Sequence, residues 1–192
     1  MSSGHFHVHG PHDHELEHAA SHGGNEPFSG RIAVTTAVLA TIGAIFSYQG
    51  GATQANSTLF KNNAAIRKTE ASNQWNYYQA KSSKQNLAEL AMEVVPPARV
   101  EFYKQEIERY KVEKADIKRD AEKLEAESKS WDERSDAELH LHHRWAQATT
   151  VLQISIALSA IALLTRRDWL LKGVYAVGAC GLLLGALAAL HI

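Results

Sequence analysis

Three long stretches of the chain contain no charged residue, and each is rich in apolar residues. They cover residues 32–60, 145–165 and 173–192. Each supplies roughly the 20 residues that a helix needs to cross a ~30 Å hydrocarbon core. A helix also satisfies its own backbone hydrogen bonds, which lipid cannot do. The pattern therefore predicts three transmembrane helices, over residues 31–52, 145–165 and 173–192.

The segment between the first two spans is polar and carries a helical heptad pattern. From Val100 onwards, alternating steps of three and four residues define one seam. Its members are Val100, Tyr103, Ile107, Tyr110, Lys114, Ile117, Ala121, Leu124, Ser128 and Trp131. Such spacing is typical of a helix that packs along another helix. We therefore expect residues 97–144 to form one arm of a helical hairpin.

The other arm, residues 53–95, shares the seven-residue period but has a weaker apolar character. Its expected seam contains Leu59, Ile66, Asn73, Ala80, Leu87 and Val94, with polar Asn62, Thr69, Asn76 and Ser83 between them. Polar residues in a seam specify register at a cost in stability. We therefore expect a loose or hydrated interface between the arms.

Pro96-Pro97 separates the two arms. A proline pair ends one helix and suits the first turn of the next. At ~1.5 Å per residue the arms would be about 65 and 70 Å long, so both would return to the membrane together. The predicted fold is all-α: three transmembrane helices with a long extramembrane antiparallel helical hairpin, a coiled-coil-like stalk over residues 53–144 with its tip at 96–97.

Composition and motifs narrow the functional classes. The chain has 20 Lys and Arg against 21 Asp and Glu, whereas nucleic-acid binders carry a clustered basic face. Cys180, the single cysteine, lies in the third span, so no intramolecular disulfide is expected. The sequence has no nucleophile elbow, phosphate loop, paired catalytic carboxylates or HExxH motif. We therefore expect neither a nucleic-acid partner nor an enzyme.

The short connection between the second and third spans, residues 166–172, indicates orientation. It carries three cations, Arg166, Arg167 and Lys172, and short basic loops face the cytoplasm. The first span argues the other way, because Lys61 and further cations follow it. Long domains, however, translocate largely regardless of charge. We therefore favour a multi-pass protein of the bacterial inner membrane, with a cytoplasmic N-terminus and a periplasmic stalk.

Residues 1–30 form a polar tail rich in histidine. Neutral imidazole binds zinc, nickel and copper, so the tail offers a site for a divalent transition metal. The candidate ligands are His5, His7, His9, His12 and His14. The alternative is a soluble tail without a physiological metal, and no other cofactor is required. A second group, His140, His142 and His143, either anchors its helix at the headgroup layer or senses metal or pH.

Two sets of residues are candidates for association between copies. One polar partner arm cannot bury every large residue of the second arm's seam, so another chain is expected to cover the rest. The residues central to that contact are Ile107, Ile117 and Leu124, and Trp131 is a further candidate interface residue. In the third span, Gly181 and Gly185 allow close helix contact in lipid, either between copies or within one chain. We therefore expect a homo-oligomer in the lipid bilayer.

Two further surfaces are candidates for function. Trp75 and Tyr78 fall on adjoining parts of one helical surface and could face a protein partner on the stalk. The alternative is packing of their rings against the returning arm near Lys118 to Trp131. In the first span, oligomer symmetry could bring polar side chains around a weakly polar pore. These side chains are Thr35, Thr36, Thr41 and Gln49.

Residues 71–81 read ASNQWNYYQAK, after a first span and before a charged helix and two closing spans. This arrangement resembles the bacterial domain-of-unknown-function 4337 family, as does the His- and Glu-rich start. The resemblance covers nearly the whole chain and implies the same architecture, but no established activity, cofactor or catalytic residue. The sequence thus favours a homo-oligomeric membrane scaffold or interaction module. The alternatives are a channel lined by the first span and a metal-responsive membrane sensor that uses the N-terminal histidines.

Overall fold

The computed structural model describes residues 27–191, and they form three α-helices joined by short turns. Helix α1 is Pro27–Val94 with 68 residues, α2 is Pro97–Thr165 with 69 residues, and α3 is Asp168–Ala189 with 22 residues. The described range contains no β-strand. The prediction of an all-α fold is confirmed, while the predicted tail before residue 27 lies outside the described residues.

Both turns follow from local chemistry. Pro96 lacks the N–H that would continue α1, and Pro97 occupies the first position of α2, where no donor is needed. At the second turn Arg166 adopts a left-handed conformation with φ 52°, a common way to end a helix. Asp168 then opens α3, where a carboxylate is favoured by the helix dipole. The connection is therefore shorter than the predicted loop over residues 166–172.

Residues 49–143 form one compact unit, which we call the polar hairpin. Its two arms are joined by hydrogen bonds at regular intervals along the chain. The bonded pairs are Gly50 with His142, Ser57 with Ser135, and Ala64 with Ser128, at sequence separations of 92, 78 and 64 residues. Each step is therefore one heptad in each arm. The predicted antiparallel packing of the first two helices as a hairpin is confirmed.

The α2 seam lies where the heptad pattern predicts it, but the α1 seam does not. Ile107, Ile117 and Ala121 are buried, as predicted. In α1 the predicted seam residues Leu59 and Val94 are 55% and 76% exposed, so this prediction is wrong. Small residues occupy the true α1 seam instead, at seven-residue spacing. They are Gly50, Ser57, Ala64 and Ala71, all buried.

Small residues occupy the α1 seam because they allow the two helix backbones to approach closely. The Ser128 hydroxyl donates to the Ala64 carbonyl at 2.9 Å, and the Ser135 hydroxyl donates to the Ser57 carbonyl at 2.9 Å. A short serine side chain reaches the backbone of a neighbouring helix only when the helices are close. Both hydroxyls are buried, so these bonds also avoid the cost of an unpaired polar group.

Residues 27–48 and 144–191 form a second compact unit, which we call the apolar bundle. All three helices contribute to its core. The buried members are Ile32, Leu39, Leu152, Ala162, Leu171 and Val174. Ser155 is fully buried and donates its hydroxyl to the Val174 carbonyl at 2.8 Å. Each of the three helices contains a segment long and apolar enough to cross a membrane.

Candidate functional site

The predicted oligomer contacts on α2 are covered only in part by the chain's own α1 arm. Ile107 and Ile117 are only 8% and 7% exposed, and Leu124 is partly buried. The Trp131 ring packs on Phe60 of α1, with ring centroids 5.5 Å apart. One α1 arm therefore buries Ile107 and Ile117 but leaves Tyr103, Tyr110, Leu124 and Trp131 only partly buried. Association between copies through these residues remains a prediction.

Trp75 and Tyr78 form an aromatic pair on α1. Their ring centroids lie 5.7 Å apart in an edge-to-face arrangement, and both residues are partly buried. The Lys114 ammonium lies 5.1 Å from the Tyr78 ring centroid, within the range of a cation–π contact. Tyr78 thus packs against the returning arm, though at Lys114 rather than between Lys118 and Trp131.

One cluster in the hairpin was missed by sequence reasoning. Lys81 pairs with Glu113 across the arms, and its ammonium lies 5.2 Å and 5.6 Å from the ring centroids of Tyr77 and Tyr110. The close contact with the Lys81 ammonium holds the pKa of Glu113 below its usual value. The same contact raises the pKa of Lys81, against a smaller opposing effect of burial. The available signal was opposite charge at similar distances from the proline pair, because Lys81 lies 15 residues before Pro96 and Glu113 lies 16 residues after Pro97.

The histidine predictions have different outcomes. His5, His7, His9, His12 and His14 lie outside the described residues. Within residues 27–191, no three His, Cys, Asp or Glu side chains come together in a way that could hold a metal. His142 Nδ1 lies 2.8 Å from the Gly50 carbonyl oxygen. Because a carbonyl only accepts, this nitrogen carries a proton and ties the two arms together.

Gly181 and Gly185 pack inside the apolar bundle. A Cβ atom on Gly181 would lie 2.7 Å from Leu152 Cδ2, and one on Gly185 would lie 2.2 Å from Phe46 Cε2. Both glycines are buried. Of the two interpretations, packing within one chain therefore accounts for this face, because no space is left there for a helix of another copy.

The predicted pore-lining residues do not share one environment. Thr35 and Thr36 are partly buried, whereas Thr41 and Gln49 are exposed. The Thr41 hydroxyl donates to the Ala37 carbonyl of its own helix at 2.9 Å. This internal bond reduces the polarity that Thr41 presents to its surroundings. A pore lined by these residues remains an untested prediction.

A shallow groove of about 410 Å³ runs between the arms of the polar hairpin. Its charged walls are already paired across the arms. Lys61 contacts Asp132, and Lys68 lies 3.4 Å from Glu125. A ligand in this groove would have to compete with these ion pairs.

The exposed face of α1 in the hairpin carries a long stripe without charged residues. We call it the outer stripe. Its members alternate at steps of three and four residues and are all exposed: Leu59, Asn62, Ile66, Thr69, Asn73, Asn76, Ala80, Ser83, Leu87, Leu90 and Val94. At 1.5 Å per residue the stripe is about 53 Å long. None of its members is charged, and the hydroxyls of Thr69 and Ser83 bond within α1.

Comparison with known proteins gives a family but no activity. Residues 28–191 match the family model described as Domain of unknown function (DUF4337). Neither the curated proteins nor the solved structures gave a match. The matched range includes all of α2 and α3 and nearly all of α1, so the resemblance inferred from residues 71–81 is confirmed. The chain belongs to the DUF4337 family.

Proposed function

We propose that this protein is an integral membrane scaffold: three helices cross the bilayer, and the polar hairpin stands outside it and associates with other copies. The observation that carries the proposal is the apolar exterior of the apolar bundle. Large apolar side chains point outward from all three helices. They include Val34, Val38, Ile45, Ile154, Leu164 and Leu183. A continuous exterior of this kind suits lipid tails, and soluble monomers rarely expose one.

The free energy of exposing apolar side chains to water favours lipid as the surroundings of the apolar bundle. No more than 28% of the most apolar window of each helix is buried. Removing one large apolar side chain from water contributes about 1.5–3 kcal/mol. A dozen such side chains left in water would forgo more free energy than the roughly 5–15 kcal/mol that stabilises a typical domain. A bilayer removes this cost, because its hydrocarbon replaces water around the exposed residues.

The polar hairpin has the opposite requirement. Its cross-arm ion pairs stay largely exposed, with the Lys61 and Asp132 side chains 59% and 46% accessible. Such charges keep their hydration only in water, and hydrocarbon would impose a large desolvation cost. We therefore place residues 53–144 outside the bilayer, as a helical stalk available to protein partners.

The basic connection between α2 and α3 sets the proposed orientation. Arg166 and Arg167 form the turn and Lys172 lies near the start of α3, and three cations this close together favour the cytoplasm. The N-terminus then shares that side, and the hairpin occupies the other. In a Gram-negative bacterium this arrangement corresponds to an inner-membrane protein with a periplasmic stalk.

Alkaline extraction tests the membrane proposal. Membranes that contain the full chain are washed with sodium carbonate at high pH, and the protein is followed by immunoblot. We expect it to stay in the membrane pellet and to be released only by detergent. Release of the wild-type protein by carbonate alone would mean that the apolar bundle does not span the bilayer.

A matched pair of lysine substitutions separates lipid exposure from water exposure. Val38 and Val112 are 52% and 60% exposed, but only Val38 lies in the apolar bundle. A charge near the middle of a span costs about 2.5–3.5 kcal/mol. Val38→Lys should therefore lower the amount of carbonate-resistant protein, whereas Val112→Lys should leave it unchanged. Equal behaviour of the two variants would contradict a lipid-facing Val38.

A further inference from the structure

We propose that the outer stripe of α1 binds the outer stripe of a second copy, with the two helices parallel and in register. The proposal rests on the membrane scaffold function, because anchoring in one bilayer makes α1 of both copies run in the same direction. Each stripe residue then meets the same residue of the other copy. The occupant of this surface is thus a second copy of this chain.

The spacing of the stripe is that of a coiled-coil seam. Its steps of three and four residues continue from Leu59 to Val94, and such a seam packs best against a partner with the same period. The opposite face of α1 is already buried against α2. Within the described residues no side chain covers the stripe, since every member from Leu59 to Val94 is exposed.

The asparagines of the stripe fit an in-register pairing. Asn73 belongs to the same seven-residue series as Leu59 and Ile66. A side-chain amide carries both donors and acceptors, so two identical amides that face each other can bond. An asparagine in the seam of a parallel coiled coil specifies register at a cost in stability, and the stripe carries three, Asn62, Asn73 and Asn76. Asn73 would therefore align the apolar residues on either side of it.

Charge supports α1 rather than α2 as the self-pairing face. The stripe itself is uncharged, and the charged residues Glu70, Lys84 and Glu93 only flank it, so in-register pairing sets like charges near each other only at its edges. The exposed face of α2 carries many Lys and Glu side chains, among them Glu101, Glu108, Lys111, Lys118, Glu122 and Lys129. In-register contact there would set like charges against each other, which is unfavourable.

The available area reaches the range of a specific interface. Five large apolar side chains of the stripe are exposed by more than half: Leu59, Ile66, Leu87, Leu90 and Val94. At roughly 100 Å² each, two copies would bury on the order of 1,000 Å², the lower end for specific contacts. Two copies held in one membrane need less area than free proteins, because anchoring raises their effective concentration.

Cysteine cross-linking of the full chain in native membranes tests the proposal. Cys180 is first replaced by Ala, and single cysteines are then placed at Ser83 in the stripe or at Val112 on the exposed face of α2. Parallel in-register pairing places the two Ser83→Cys side chains together, so mild oxidation should give a disulfide-linked dimer. Val112→Cys should remain monomeric. A predominantly monomeric Ser83→Cys protein, or a cross-link to a different protein, would overturn the proposal.

Further variants test whether the two helices run parallel and whether the apolar residues of the stripe stabilise the contact. Co-expressed Leu59→Cys and Leu90→Cys chains should not cross-link to each other, because in a parallel pair these positions lie about 46 Å apart. The double variant Ile66→Lys with Leu87→Lys should lower the Ser83→Cys dimer yield at least tenfold, equivalent to about 1.4 kcal/mol. Phe102→Lys with Val112→Lys on α2 should not.

Carbonate extraction of the same samples separates the two proposals. If Ser83→Cys stays monomeric in protein that resists extraction, self-pairing fails and the membrane scaffold stands. If the protein is released by carbonate, the membrane proposal fails. A cross-link between the Leu59→Cys and Leu90→Cys chains would show antiparallel pairing and so overturn the parallel arrangement.

Discussion

Glycine and alanine set the distance between helices at several contacts of this protein. Ala71 and Ala121 are almost completely buried in the hairpin, at 1% and 0% exposure. In the apolar bundle Gly181 faces the fully buried Leu152, whose backbone nitrogen would lie 3.2 Å from an added Cβ atom. At these positions even one methyl group has little space.

Two glycines of α3 provide a controlled test of this crowding. We expect Gly181→Ala to destabilise the apolar bundle by about 1–3 kcal/mol, the typical cost of overpacking. A Cβ atom on Gly173 would have no neighbour within 4 Å. Gly173→Ala should therefore be neutral or stabilising by about 0.5–1 kcal/mol, because alanine favours the helix. Thermal unfolding in detergent measures both, and equal shifts would contradict the close Gly181 contact.

At the scale of helices, the sequence predicts which segments are helical better than which faces meet. The three helices and the hairpin could be predicted from the charge-free runs, the Pro96-Pro97 pair and the heptad pattern of α2. The α1 face could not be chosen by periodicity, because Ser57 and Leu59 each belong to a series with a seven-residue repeat. The choice between them rotates the helix by about 200°. Hydrophobicity favoured Leu59, whereas close packing and buried hydrogen bonds favour Ser57.

The candidate surfaces were predictable to different degrees, because the sequence does not show which helix faces meet. Small residues at four-residue spacing identified Gly181 and Gly185 of α3 as helix-contact residues. The spacing could not show whether the contacting helix belongs to the same chain or to another copy. The pair of Lys81 and Glu113 depends on the α1 face and on the register between the arms. Both follow only once the small-residue seam is known, so the sequence pattern alone did not reveal this pair.

The Lys81–Glu113 pair should make hairpin stability depend on pH. The folded-state pKa of Glu113 is lowered, so its contribution is present above the unfolded value near 4.5 and is lost as pH falls through the lower folded value. The folded-state pKa of Lys81 is raised. Its contribution is present below 10.5 and is lost as pH rises through the raised value.

A neutral amide at position 113 tests this dependence. Thermal unfolding of the full chain in detergent is compared between wild type and Glu113→Gln from pH 3 to pH 8. We expect wild type to be the more stable at neutral pH, and the difference to shrink as the pH falls below about 4.5. Glu122, which pairs with Lys118 of its own helix at 3.7 Å, supplies the control. The idea fails if Glu113→Gln and Glu122→Gln give the same pH profile.

Across the whole molecule, one chain combines an apolar unit with a polar unit. The charge-free runs supply the apolar bundle, and the polar segment between the first two runs supplies the hairpin. The same helix α1 contributes to both units, with an apolar exterior before Tyr48 and an uncharged outer stripe after it. A membrane scaffold needs these two properties together: an anchor that suits lipid and a rigid surface that meets a partner in water.

Our last prediction concerns the side of the membrane on which each part lies. One span separates the N-terminus from the hairpin in the proposed topology, so the two must face opposite sides. Single cysteines at Ser2 and Val112, in a Cys180→Ala background, are labelled with a membrane-impermeant maleimide in right-side-out vesicles. We expect Val112→Cys to react from outside and Ser2→Cys to react only after permeabilisation, as the basic connection at Arg166 and Arg167 favours. Reversed labelling would invert the orientation but keep the span, whereas labelling of both from one face would mean that α1 does not cross the membrane.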